Sequence, residues 1–153
     1  MNFAFDVTLK NRALFKSFLE HLTLEQLNTV PKGFNNTIFW NIAHTVVTQQ
    51  LLVYKLSNIP MLLEARFVDT YKKGTKTEHN ATQAEVDIVK DLLFSTIDKT
   101  QEDYANNVFK TYNEYTVSTK STLTSTEDAI TFNVFHEGIH LGYILAQKKA
   151  LGI

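Results

Sequence analysis

The sequence contains no cysteine. Disulfides, thiolate metal ligands and a cysteine nucleophile are therefore excluded. It also lacks any apolar run long enough to span a bilayer, so no membrane partner is expected. Neither sign of charge dominates: 15 Lys and Arg stand against 16 Asp and Glu, a formal net charge of −1. Without a basic stripe, nucleic-acid binding has no electrostatic footprint. The first residues, MNFAFDVTLKNR, have no basic stretch leading into an apolar one, so no signal peptide is expected and a cytoplasmic protein is the default. What is present is an ordinary globular composition, 44% hydrophobic and 20% charged over 153 residues. That length suits a single domain, 1–153, with a sizeable core.

Helical patterning dominates, and the two prolines and five glycines fall mostly where breaks between helices belong. A first helix is expected over 5–29, with Leu14, Phe15, Phe18 and Leu22 on one face, ending at PKGF. A second starts at Asn36 or Thr37, either of which can cap it, and runs to about residue 58, before Pro60. Thr82-Gln-Ala-Glu85 and Thr124-Ser-Thr-Glu127 both read as capping boxes. They open a third helix to about residue 104 and a fourth to about residue 150. The 59–80 linker can retrace a helix of about 30 Å, which would make the second and third helices parallel. The 105–123 connection has room for a short hairpin. The expected architecture is all-α: a four-helix bundle in up-down-down-up order, a class that places metal and ligand sites between facing helices.

One short stretch carries chemistry. HEGIH, within FNVFHEGIHLGYILAQ, matches the H-E-x-x-H pattern of zinc proteases. His136 and His140 are four apart, so on a helix their rings share a face and both can reach one ion. Two histidines make half a site. The proteases take a third ligand downstream, but the LGYILAQKKALGI that follows His140 holds no Asp, Glu or His, so the protease reading lacks its ligand. The bland alternative is a pair of histidines satisfied by hydrogen bonds inside a bundle. Upstream, three histidines are available. His79 sits in the polar TKTEHN loop, and His21 lies where it can complement a helix dipole. His44 lies in FWNIAHTVVTQQLL on a face shared with Trp40, Val47 and Leu51. A buried imidazole needs a partner, and an ion shared with His136 and His140 would be one.

NTIFWNIAHTVVTQQLLVYKLSN, followed after about ninety residues by FNVFHEGIHLGYI, resembles the DinB-like (DinB/YfiT) superfamily. The likeness also takes in LTLEQLNTVPKGFNNT and YKKGT. It implies a four-helix bundle of the topology above and a metal site of one histidine on the second helix with an H-x-x-x-H pair on the fourth: His44, His136 and His140. It further implies one divalent metal ion (zinc, nickel or iron). Some relatives are thiol-dependent transferases or isomerases, so a low-molecular-weight thiol joins the expected cofactors; others are described as hydrolases. The expected function is thus a metal-dependent enzyme, a thiol S-transferase or isomerase or a hydrolase, acting on a small-molecule substrate. A non-enzymatic metal- or ligand-binding bundle is the alternative.

Several residues near the motif have two readings. Glu137 is either a general base or a solvated or supporting carboxylate. Asn133 and Thr48, each about one turn from a histidine, either orient imidazole N–H groups or are ordinary helix residues. Trp40, Phe132, Phe135 and Tyr143 either line a pocket or fill core. Finally, Val134, Gly138, Leu141, Gly142 and Leu145 lie opposite the histidine face, as Ile42, Val46 and Val53 lie opposite His44. A helix apolar on both sides is covered on both, by crossover segments or by a second subunit, and a twofold homodimer is expected.

Overall fold

A computed structural model describes residues 1–153. The chain is mostly helical, with four long helices, two short ones and one two-stranded hairpin. Helix α1 spans Asn2–His21. Its buried positions, Phe5, Thr8, Arg12, Phe15 and Leu19, recur every three or four residues. The expected face was drawn too far round the helix, since Leu14 is 47% exposed. The expected continuation to residue 29 is also broken. Thr23 opens a separate helix, α2 (Leu24–Asn28), through a capping box with Gln26. Satisfying two free N–H groups locally favours a restart over continuation. Gly33, at φ 88, then closes the PKGF turn, in which the Phe34 N–H donates to the Pro31 carbonyl at 3.0 Å.

Helix α3 (Ile38–Gln50) is capped by the Thr37 hydroxyl, which accepts from the Trp40 N–H. All its residues except Thr48 are buried. Ile42, Val46 and Val53 are fully enclosed by the chain itself, so this side needs no second subunit. The helix does not run uniformly to residue 58. Leu51–Lys55 forms a π-helical turn, a distortion that often marks functional sites. The 59–80 crossover is not a plain linker: it contains α4 (Ala65–Tyr71), which packs on α3. Buried Gln50 fixes the crossover by accepting from the Leu62 N–H at 2.8 Å.

Helix α5 (Gln83–Ala105) opens with the expected Thr82–Glu85 capping box. The hairpin between α5 and the last helix is present as β1 (Tyr115–Thr116) against β2 (Thr122–Leu123), antiparallel. Helix α6 (Thr126–Leu151) is capped one residue later than expected. The Ser125 hydroxyl accepts from the Asp128 N–H, and the Asp128 carboxylate accepts from the Thr124 N–H and hydroxyl. It ends at Gly152 in the left-handed conformation.

Helices α1 and α3 each pack against both α5 and α6. Phe5, near the start of α1, meets Tyr104 at the end of α5. Lys148 near the end of α6 lies over Phe18 near the end of α1. Tyr54, in the π-helical turn, donates to Asp103 near the end of α5 at 2.8 Å. Asn41 near the start of α3 donates to Gln147 near the end of α6 at 3.2 Å. No helix is long and apolar enough to cross a membrane.

Candidate metal centre

Helices α3 and α6 bring His44, His136 and His140 together. Ring centroids are 5.3 Å apart for His44 and His136, 4.8 Å for His44 and His140, and 4.6 Å for His136 and His140. One ring nitrogen from each falls within a set whose members are all within 4.8 Å of one another. Burial holds all three imidazoles neutral. It lowers His44, takes His136 down to about 2 with help from the His140 and His44 charges, and takes His140 down to about 3 with help from His44. Three neutral imidazoles are the protonation state in which nitrogen lone pairs can face an ion.

The surroundings fix two of the rings. His44 donates its Nδ1–H to the Tyr71 carbonyl at the end of α4, 2.6 Å away, and leaves Nε2 as an acceptor for the Thr48 hydroxyl at 3.2 Å. Trp40 stacks on the His44 ring at 4.6 Å and 10°, and is itself pinned by an N–H bond to Thr75. His140 donates its Nδ1–H to the Asn41 side-chain carbonyl at 2.9 Å. Asn41 cannot rotate away, because its amide nitrogen donates to the Thr37 carbonyl and to Gln147. Gln147 in turn donates to the Asn36 carbonyl. Each supporting partner selects the tautomer with a free Nε2, as in established histidine metal sites. His136 is different: its buried Nδ1 has no hydrogen-bond partner. An unpaired buried polar nitrogen is costly, and a donor set of this kind fits a divalent ion.

The other sequence candidates separate cleanly. His21 is exposed and turned back on the Ser17 carbonyl, and His79 is exposed and bonded to Glu85. Glu137, expected either as a general base or as a solvated or supporting carboxylate, is in none of those places. It lies on the core side of α6, fully buried, with Oε1 receiving Nε and Nη2 of Arg12 at 3.0 and 2.9 Å. Burial pushes its carboxyl up, while the guanidinium and the Asn133 amide work against that. The two guanidinium bonds converge on Oε1, while Oε2 is buried without a hydrogen-bond partner. Asn133 donates to Glu137 at 2.9 Å rather than serving an imidazole. Thr48 contacts the free nitrogen of His44 rather than its supported one. Of the four aromatic candidates, only Phe132 lines the cleft beside the histidines. Trp40 supports His44, Phe135 is 51% exposed on the outer side of α6, and Tyr143 packs edge-on against Phe34.

That cleft has a volume of about 300 Å³ and opens beside His44 and His136, at the small end of the range for small-molecule sites. Thr48, Leu51, Leu52, Lys55 and Leu56 wall it from α3 and its π-helical turn, and Phe132 from α6. Lys73, after α4, and Tyr115, Val117 and Ser118 of the hairpin complete it. Asn41, Tyr71 and Arg12 were not found by sequence reasoning. Asn41 lies on the helical face of His44, three residues before it, which is a readable signal. The Tyr71 carbonyl comes from a helix that was not expected, so no signal pointed to it.

A mostly helical chain with a single histidine on one helix converging with a four-spaced pair on another has the make-up of a helical protein with a site compatible with a divalent metal. Residues 8–144 match the family model of the DinB superfamily. The match covers most of the chain, which belongs to that superfamily. No curated protein matches the chain.

Proposed function

We propose that His44, His136 and His140 hold one divalent ion, zinc, nickel or iron, and that the protein is a metal-dependent enzyme acting on a small-molecule substrate with a thiol as the second reactant. The observation that carries this reading is the cleft. It reaches two of the three histidines, so the site is open on one side, and no Asp or Glu lines it. A purely structural ion is ordinarily closed off by four protein ligands. An ion held there would supply the positive charge that acidifies a thiol or a water bound to it. Water activation commonly uses a protein base to take the proton; the nearest motif carboxylate, Glu137, is committed to Arg12 in the core. A thiol is acidic enough to dispense with such a base, which favours thiol transfer over hydrolysis.

The chain's own residues have defined tasks in this reading. Tyr71 and Asn41 orient His44 and His140 through their Nδ1–H groups. Trp40 shields the face of His44, and Leu51, Leu52 and Phe132 exclude water from the approach. The test is to load the protein with Co(II) and titrate a simple thiol such as 2-mercaptoethanol. A thiolate charge-transfer band that is absent in His44→Ala supports the proposal. An ester hydrolysed by the loaded protein without any thiol band would favour the hydrolase reading.

The end-to-end contacts of α1, α3, α5 and α6 support the up-down-down-up order. The α6 outer face supports a twofold homodimer. Phe135, Ile139 and Leu145 are about half exposed there, and Gly138 and Gly142 face open space. An antiparallel pairing of two α6 helices centred between Gly138 and Ile139 would set Phe135 against the flat backbone at the partner's Gly142. It would also set Asp128 across from the partner's Lys149. In that pairing the face would meet itself with the small residues opposite the large ones and opposite charges across the axis, as a twofold interface requires.

A further inference from the structure

Lys73 lines the cleft and is held there by the hairpin. Its ammonium donates to the Ser118 hydroxyl at 2.8 Å, and both residues line the cavity. Lys55 joins it from the π-helical turn. Neither lysine is in an ion pair with a carboxylate. Asp69, whose carboxyl feels the Lys55 charge, is paired with Lys72 at 2.7 Å. The cleft therefore carries two cationic groups and no anionic one. Leu51, Leu52 and Phe132 give the same cleft apolar walls. Along α3 and its π-helical turn the lining runs from His44 and Thr48 through Leu51 and Leu52 to Lys55, so on this wall imidazole and positive charge lie at opposite ends of an apolar stretch.

We propose that this cleft selects a small organic acid, with its anionic group on Lys73 and Lys55, its apolar body against the leucines and Phe132, and its far end presented to His44 and His136. This rests on the reading of the three histidines as the reacting centre. Shape and charge agree on the ligand. A cavity of about 300 Å³ admits only a small molecule. A neutral ligand would leave two lysines unmatched, and a cationic one would be repelled by them. The π-helical turn has a purpose in this arrangement: Lys55 lines the same cleft as His44 and Thr48 on the preceding helix.

Calorimetric titration of hexanoate, 1-hexanol and hexylamine into the metal-loaded and the metal-stripped protein tests the proposal. Hexanoate should bind about tenfold more tightly than 1-hexanol, as charge-assisted contacts allow, and hexylamine more weakly than either. Lys55→Met with Lys73→Met should erase the difference without changing metal stoichiometry, and Lys76→Met should preserve it. The proposal is overturned by the absence of saturable hexanoate binding or by equal affinities for hexanoate and hexanol. It is also overturned by a preference that survives in the double variant or disappears on stripping, since either would put the anion on the ion. If the wild-type protein takes up no metal, the function proposed above fails by itself. The hexanoate preference of the metal-free protein then still decides for or against this cleft.

Discussion

Glu137 and Arg12 form an ion pair with no exposed surface on either side chain. The carboxylate sits inside the HEGIH motif, yet its partner is on α1, 125 residues earlier. Arg12 also donates through Nη1 to the Leu93 carbonyl and the Thr96 hydroxyl of α5. A single guanidinium thus ties three helices together, and the motif's Glu is its counter-charge. Removing one partner strands a buried charge. Glu137→Gln should therefore destabilise the protein by about 3–5 kcal/mol. Arg12→Met combined with Glu137→Leu should recover most of that loss, because a buried pair and its apolar replacement are close in free energy. Urea unfolding of the three proteins checks this. A Glu137→Gln variant as stable as the parent would remove the pair from its structural role.

The second prediction concerns metal. Replacing His44, His136 or His140 with alanine should sharply reduce metal occupancy, and replacing exposed His21 or His79 should not. Asn41→Ala removes the support of His140 without touching a ligand, so affinity should fall about 10–100-fold with the ligand set unchanged. Metal content and competition with a chelator measure both. Full affinity in Asn41→Ala would mean that packing alone orients His140.

Much of this was legible in the sequence. The four-spaced histidines fix a helical face, and an isolated histidine in the apolar stripe around Trp40 and Val47 pointed to His44 without any structure. Arg12 was equally visible in principle, since it lies in register with Phe15 and Leu19. Drawing the stripe through Leu14 and Leu22 hid it. Other features left no trace. TQQLLVYKLS contains neither glycine nor proline, so nothing local marks the π-helical turn. Glu137 looked available for chemistry because 100° of helix rotation is compatible with either side, and only the position of Arg12 decides it. The hairpin was expected as an element, but its place beside the cleft depends on tertiary packing.

The third prediction follows from the depressed histidines. The unfolded chain protonates each near 6.5, whereas burial keeps the folded rings neutral far lower, to about 2 for His136 and about 3 for His140. The unfolded state therefore binds more protons as the pH falls below about 6.5. Stability of the metal-free protein should be full above that value and decline toward acid, by up to about 1.4 kcal/mol per pH unit for each such imidazole. Carboxylates held low, such as Asp128 by the Thr124 backbone and hydroxyl, also stabilise the fold at higher pH, but their contribution is lost only at more acidic values. A comparison between pH 7.5 and 5.0 spans the range in which the unfolded chain's histidines take up protons and stays above the range of the carboxylates held low. A urea midpoint that does not fall across that interval would contradict the neutral, buried assignment.

The last prediction concerns the outer face of α6. The crossover segments were candidates to cover it, and they do not: Leu145 is 52% exposed, and a side chain added at Gly138 or Gly142 would meet nothing within 4 Å. The face runs over three turns with no charge between Asp128 and Lys148. Large exposed apolar patches mark interaction sites, and the proposed antiparallel pairing would bury this one about a twofold axis. Leu145→Glu should then convert a dimer into a monomer without lowering monomer stability, since the residue has few contacts to lose within its own chain. Gly142→Leu should have a similar effect, by filling the position that receives the partner's Phe135. Asp128→Lys should weaken the pair and Lys149→Asp in the same chain should restore it, because the swap regenerates the opposite charges across the axis. Light scattering at micromolar concentration reads all four. A parent protein that is monomeric there would refute the pairing, and a dimer indifferent to Leu145→Glu and Gly142→Leu would place the interface elsewhere.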